Sequence, residues 1–255
     1  MDASELFDLA GKTALVTGSA QGLGREIALG LARNGAYLIL ADIVKPHETA
    51  RAIAGMGSRA LPIQVDVSDE AAARNLVEKS LYEFDRLDIL VNNAGVSQLS
   101  HTPTEDLPVD EWDRIIRVNL RGTFLCCKYI GTEMVKTGGG TIINIATTAG
   151  ITGVARAPAY CASKAGVILL TKCLALEWAR YHIRVNAIAP HYLETELTKD
   201  LRDSEKVYKN LIKEIPLKRF GKPSEVLGAV LLLASDAASY MTGSVMVIDA
   251  GYLAH

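Results

Sequence analysis

Short apolar runs alternate with stretches of helical periodicity along nearly the whole chain. The runs 12–17, 36–42, 59–66, 87–92, 141–146, 184–189 and 244–249 are almost unbroken in hydrophobicity, as strands buried on both faces are, and they predict seven parallel strands. Between them, 23–34, 46–57, 68–84, 109–136, 159–181 and 224–235 carry apolar residues at helical spacing. Boundary signals such as Asn34-Gly35 and Lys222-Pro223-Ser224 punctuate several of them. The order predicts one doubly wound α/β domain over 1–255, with helices on both faces of the sheet and right-handed crossovers. No repeat, low-complexity tract or linker divides it. One polar, helical segment, 194–216, interrupts the alternation after a strand end, and its position beside the carboxyl edge makes it a candidate substrate lid.

Composition narrows the partners. The chain of 255 residues is 49% hydrophobic and 22% charged, and its 27 basic residues are matched by 29 acidic ones, so no global field draws nucleic acid or an anionic membrane. A small-molecule substrate is expected, with neither nucleic acid nor membrane as partner. Cys126, Cys127, Cys161 and Cys173 have no metal-ligand spacing and suit no disulfide framework, which predicts reduced thiols in a cytoplasmic protein and no metal. The N-terminus, with Asp2, Glu5 and Asp8, lacks the form of a secretory signal, and the longest apolar run, around 229–234, is too short to span a bilayer.

The candidate chemistry sits after the predicted strands. Behind the first comes Thr17-Gly18-Ser19-Ala20-Gln21-Gly22-Leu23-Gly24, where glycines permit a tight turn and let backbone N–H groups approach a pyrophosphate at a helix start. Asp42 ends the second strand, 24 residues after Gly18, where a carboxylate can accept the ribose hydroxyls of an adenosine and repel a 2′-phosphate. With no Arg or Lys in the glycine loop, NAD is expected over NADP. Asp66 could take an adenine amino group or cap the helix that follows. Asn92-Asn93-Ala94-Gly95 ends the fourth strand and by composition alone is a turn. Tyr160 and Lys164, four residues apart, share one helix face; an ammonium beside a phenol favours the phenolate, yet such a pair also arises by chance on amphipathic helices.

With these residues in view, the chain resembles the short-chain dehydrogenase/reductase family across nearly its whole length. The resemblance rests on Thr17-Gly18-x-x-x-Gly22-x-Gly24, Asn92-Asn93-Ala94-Gly95, Asn119, Tyr160-x-x-x-Lys164 and Arg184-Val185-Asn186-x-Ile188-x-Pro190. It implies a Rossmann-type sheet and a cofactor contacted by Gly18, Ser19, Gln21, Gly22, Leu23, Gly24, Asp42, Asp66, Val67, Asn93, Ala94, Gly95, Tyr160 and Lys164. Pro190, Leu193 and Thr195 resemble the family's clamp on the nicotinamide carboxamide. Tyr160 would be the general acid/base, Lys164 would lower its pKa and hold the nicotinamide ribose, and Asn119 would hold a water linking Lys164 to solvent; read without the family, Asn119 is a helix-interior amide bonded to backbone.

Two departures stand out. Thirteen residues before the tyrosine the family usually has serine; here Thr147 keeps the hydroxyl and adds a methyl, with Thr148 as a stand-in. His191 replaces the glycine common after Pro190, and could contact substrate or cover the loop. Together with Arg156, on the loop before Tyr160, it could grip an anionic group, although a solvated arginine and a neutral packed histidine are equally compatible. The wording around 185–196 is most similar to sugar-acid and polyol dehydrogenases of the gluconate 5-dehydrogenase type. The resemblance therefore implies an NAD-dependent homotetramer acting on a secondary alcohol or ketone. The alternatives are a 3-oxoacyl-thioester reductase and a nucleotide-binding regulator without turnover.

Overall fold

The computed structural model describes residues 5–98 and 102–254; the N-terminal Asp2 of the signal-sequence reading lies outside them. Seven strands form one parallel sheet: β1 (Thr13–Thr17), β2 (Tyr37–Asp42), β3 (Ala60–Gln64), β4 (Ile89–Asn92), β5 (Gly140–Ile145), β6 (Ile183–Pro190) and β7 (Val245–Ile248). Their order across the sheet is β3-β2-β1-β4-β5-β6-β7, so the chain winds outward to β3 and then returns to lay β4 against the other side of β1. That reversal leaves a crevice at the carboxyl ends of β1 and β4, where a ligand can be held between diverging loops.

Uniformly apolar strands need cover on both faces, and the helices supply it to the inner strands, while the edge strands β3 and β7 stay partly exposed. Along β1, Ala14 and Val16 join Ile27 and Leu31 of α1 (Gly22–Arg33) and Val230 and Leu233 of α9 (Leu227–Ala234) in one core cluster. Leu15, with the opposite pleat, joins a second cluster holding Leu76 of α3 (Glu70–Phe84), Ile130 of α5 (Thr123–Thr137) and Leu174 of α6 (Pro158–Trp178). The short α2 (His47–Ala54) follows β2.

The expected helices shift at their ends. The one expected from 68 starts at Glu70 because the Asp69 side chain accepts from the Ala72 N–H at 2.6 Å and caps it. The single helix expected over 109–136 is present without interruption over 109–137, with a π segment (Arg117–Gly122) between α4 (Val109–Ile116) and α5. The polar segment after β6 is helical, as expected, with α7 (Lys199–Asp203) and α8 (Glu205–Glu214). The helical stretch Pro158–Tyr181, not singled out by the apolar-run reading, has a mean hydropathy of 1.4 and is long and apolar enough to cross a membrane by length and composition. It instead packs on the sheet, with Ser163, Lys164 and Thr171 buried along it.

Candidate active site

The glycine loop is shaped by a partner from the other side of the crevice. Gly18 and Gly22 have φ of +66° and +57°, and a Cβ on Gly24 would collide with the Gly18 carbonyl oxygen and Asn93 Nδ2. Asn93 Nδ2 donates to the carbonyls of Thr17 and Gly18, each at 3.0 Å, while Thr17 Oγ1 accepts from the N–H groups of Asn93 and Ala94 at 3.0 Å. Asn93 and Ala94 thus fix the loop, and the amide that composition alone assigned to a turn has a defined task. Gln21 precedes the first turn of α1, which Leu23 continues, so backbone N–H groups open onto the loop. Buried Ser19 donates from Oγ to the Ala41 carbonyl at 3.3 Å. Asp42 accepts from the N–H of Ala20 at 2.8 Å and of Val44 at 3.0 Å, which holds its carboxylate beside the loop.

Further along the edge, Asp66 Oδ1 accepts from both the N–H and the hydroxyl of Ser68, at 2.9 and 2.7 Å, so it shapes the approach to α3 without being its cap. Val67 is buried against Gly122, where a Cβ would come within 2.9 Å of its methyl. A cradle that admits backbone but no side chain, lying at the switch point and flanked by a carboxylate, fits a dinucleotide.

The chemical half gathers on α6 and the ends of β5 and β6. Thr147 Oγ1 donates to the Pro190 carbonyl at 2.9 Å, and its hydroxyl acts on the Tyr160 phenol. Burial pushes the half-buried phenol up to about 12, the neighbouring Cys161 adds to this, and the Thr147 hydroxyl opposes it. The expected lowering by Lys164 is therefore not what governs the phenol here: desolvation does. Lys164, 5% exposed, donates to the Ile145 carbonyl at 2.8 Å, and burial pushes its ammonium down to about 8. A Cβ on Gly95 would lie 3.5 Å from Lys164 Nζ and 3.2 Å from Asn119 Oδ1, so this glycine leaves room for both.

Asn119 is completely buried. Its Oδ1 accepts from the Val96 N–H at 2.8 Å, and its Nδ2 donates to the Val96 carbonyl at 3.0 Å and to Ser163 Oγ at 3.1 Å. It braces the loop after β4 against α6 from within the π-turn, a backbone-bonding role rather than a solvent-facing one. Leu193 pairs with Gly221 in an isolated bridge, and Thr195 faces Gly22, where a Cβ would meet the threonine Cβ at 3.6 Å. The segment after Pro190 therefore closes over the glycine loop.

The two candidate substrate residues differ in character. Arg156 is exposed, with a left-handed backbone at φ +62°, and its carbonyl accepts from Gln98 Nε2 at 2.9 Å. His191 Nδ1 shares a 2.7 Å hydrogen bond with Thr148 Oγ1, and its ring stacks on Tyr252 with centroids 3.9 Å apart. Burial pushes its imidazole down to about 4, so it is neutral near neutral pH. Thr148 turns inward to His191, not toward Tyr160. Tyr192, adjacent to His191, has a local signal that sequence reasoning missed, whereas Tyr252 and Gln98 reach this region through tertiary packing, for which no local spacing exists.

A profile of the family described as enoyl-(acyl carrier protein) reductase matches residues 18–253. The NAD-dependent glycerol dehydrogenase of Listeria innocua is 42% identical over 248 residues, covering 96% of this chain and 95% of its own. The crystal structure of a short-chain type dehydrogenase/reductase from Mycobacterium marinum superposes with a TM-score of 0.93 at 41% identity, covering 98% of this chain and 99% of that one. The chain belongs to the short-chain dehydrogenase/reductase family. Another member, a gluconate 5-dehydrogenase from Burkholderia cenocepacia J2315 solved with NADP and tartrate, matches at a TM-score of 0.94 and 34% identity over 100% of both chains. Short-chain dehydrogenase/reductases are NAD(P)-linked oxidoreductases, and the cradle and Tyr160 cluster of this member occupy one continuous carboxyl edge.

Proposed function

We propose that this protein is an NAD-dependent dehydrogenase/reductase that interconverts a secondary alcohol and its ketone, with a polyol or sugar acid as substrate. The observation that carries the reading is the meeting of Tyr160, Thr147 and the buried Lys164 at the same sheet edge as the glycine cradle. When bound, the nicotinamide accepts or supplies the hydride. The chain's own residues handle the proton and the oxygen. In reduction, Tyr160 as a neutral phenol donates its proton to the oxygen as negative charge builds there, and the Thr147 hydroxyl holds that oxygen in place. In oxidation the same phenol must first be a phenolate, so the oxidative rate rises with pH across the alkaline range. Lys164, cationic below about 8, stands one helical turn from Tyr160, and Asn119 anchors the neighbouring loop at Val96.

Asp42 is the basis for NAD over NADP, since its carboxylate is held at the loop and would meet a 2′-phosphate with like charge. Leu193 and Thr195, on the segment facing Gly22, would hold the nicotinamide end, with residues 194–216 as the lid. The protein acts in the cytoplasm as a homotetramer, joined through helix faces that expose Phe124, Leu169 and Leu176. A 3-oxoacyl-thioester reductase is the second reading, favoured by a 3-oxoacyl-(acyl-carrier-protein) reductase of Thermotoga maritima that is 40% identical over 245 residues. The test is a turnover screen with NAD and NADP on polyols, sugar acids and a 3-oxoacyl thioester, alongside NADH fluorescence titration. Tyr160→Phe should abolish turnover with cofactor affinity nearly intact, and Asp42→Ser should erode the preference for NAD. Near-normal kcat in Tyr160→Phe, or higher kcat/KM with NADP in the wild type, refutes the corresponding assignment.

A further inference from the structure

Resting on the dehydrogenase reading, we propose that the substrate is an uncharged polyol rather than a sugar acid, and that His191, locked between Thr148 and the ring of Tyr252, is the residue that sets this preference. Two successive links join the ends of β5 and β6: Thr147 Oγ1 to the Pro190 carbonyl at 2.9 Å, then Thr148 Oγ1 to His191 Nδ1 at 2.7 Å. His191 therefore stands one residue beyond the group that orients the reacting oxygen. Its ring is fixed on both sides, stacked on Tyr252 at 14° and tilted against Tyr192 at 56° with centroids 4.4 Å apart. Its Nε2 is buried and has no hydrogen-bond partner among the described residues, a polar atom left for something else to satisfy.

The charges around this ring disfavour an anion. Asp249, at the end of β7, acts on His191, and Glu214, at the end of α8, acts on Tyr192; both are acidic. Burial outweighs Asp249 and keeps the imidazole neutral. The nearby cations are engaged or turned out: Lys164 on the Ile145 carbonyl, Arg202 on the Thr195 carbonyl at 2.9 Å, and Arg156 exposed. A hydroxyl both donates and accepts, so it satisfies Nε2 in either tautomer that the Thr148 bond selects, whereas a carboxylate only accepts.

The test compares kcat/KM with NAD for glycerol and a tetritol against gluconate, at pH 8 and pH 6, in the wild type, His191→Phe, His191→Asn and His191→Lys, with NADH affinity as the check on folding. In the wild type the neutral compounds should lead by tenfold or more at both pH values. His191→Phe keeps the stack and should raise KM for the polyols about tenfold while kcat changes little. His191→Asn, which keeps a hydrogen-bonding group, should lose less, and His191→Lys should narrow or invert the preference. Wild-type preference for gluconate, a swing toward gluconate from pH 8 to pH 6, or an unchanged polyol KM in His191→Phe overturns the proposal and leaves the dehydrogenase reading standing. Absence of turnover with every compound refutes that reading and this inference with it.

Discussion

Thr147 concentrates the residue-scale question, because a hydroxyl that would orient substrate is here attached to a β-branched side chain. The structure places that hydroxyl on the Pro190 carbonyl, where it acts on the Tyr160 phenol, so the methyl is tolerated and the oxygen retained. Thr147→Ser should keep or raise kcat, and Thr147→Ala should lower it by roughly 10²-fold with cofactor affinity unchanged. Steady-state kinetics paired with NADH titration check this; an unchanged kcat in Thr147→Ala would assign the orienting role elsewhere. Tyr160, Lys164 and Thr147 were legible because each stands at a fixed interval from the next along one chain segment. His191 was legible only as an odd residue after Pro190. Its partners, Thr148 and Tyr252, lie 43 and 61 residues away in sequence, and its neutrality arises from burial, which no interval records. The pairing with Arg156 as two cations rests on residue type and place in the chain, neither of which records burial, and the exposed arginine with its left-handed backbone gives it no support.

At the scale of elements, the strand bounds legible in the sequence agree with the structure to within two residues, because the inner strands, buried on both faces, leave an unbroken apolar signal and the partly exposed edge strands β3 and β7 keep apolar side chains as well. The π segment within the expected 109–136 helix carries no such signal. Neither proline nor a capping sequence marks it, and the cause is tertiary: Asn119 spends its amide on Val96 and Ser163, and the chain takes a wider turn around it. Asn119→Ala would leave the Val96 N–H and carbonyl without these partners, at a cost of about 1–3 kcal/mol each where water cannot replace them. The expected result is a lowered Tm, with faster amide exchange at Val96. Asn119→Asp keeps the acceptor for the Val96 N–H but turns a carboxylate oxygen onto the Val96 carbonyl in a fully buried site, so it should lose at least as much. Equal Tm in wild type and Asn119→Ala would mean that the π-turn is held by its backbone alone.

For the whole molecule, the alternation of strands and helices announced the doubly wound class, while the strand order, in which β4 returns to β1, depends on crossings that periodicity does not encode. Association also belongs to this scale. Leu169 and Leu176 on α6 are 57% and 84% exposed, and Phe124 on α5 is 44% exposed, an apolar set on a helix pair whose other sides are buried. Light scattering should give the mass of four chains, and Leu169→Lys with Leu176→Lys should reduce it; a monomeric wild type refutes the assembly. The link from Asn93 to the glycine loop has a consequence for the order of events in synthesis. It joins positions 75 and 76 residues apart, so the first three strands emerge with every glycine of the loop in place but without the amide that gives the loop its form. A nucleotide has no finished seat on the nascent amino-terminal half. Once β4 docks, its binding favours keeping the two halves of the sheet together, and the cofactor becomes a clasp on the completed fold rather than a guide to its beginning.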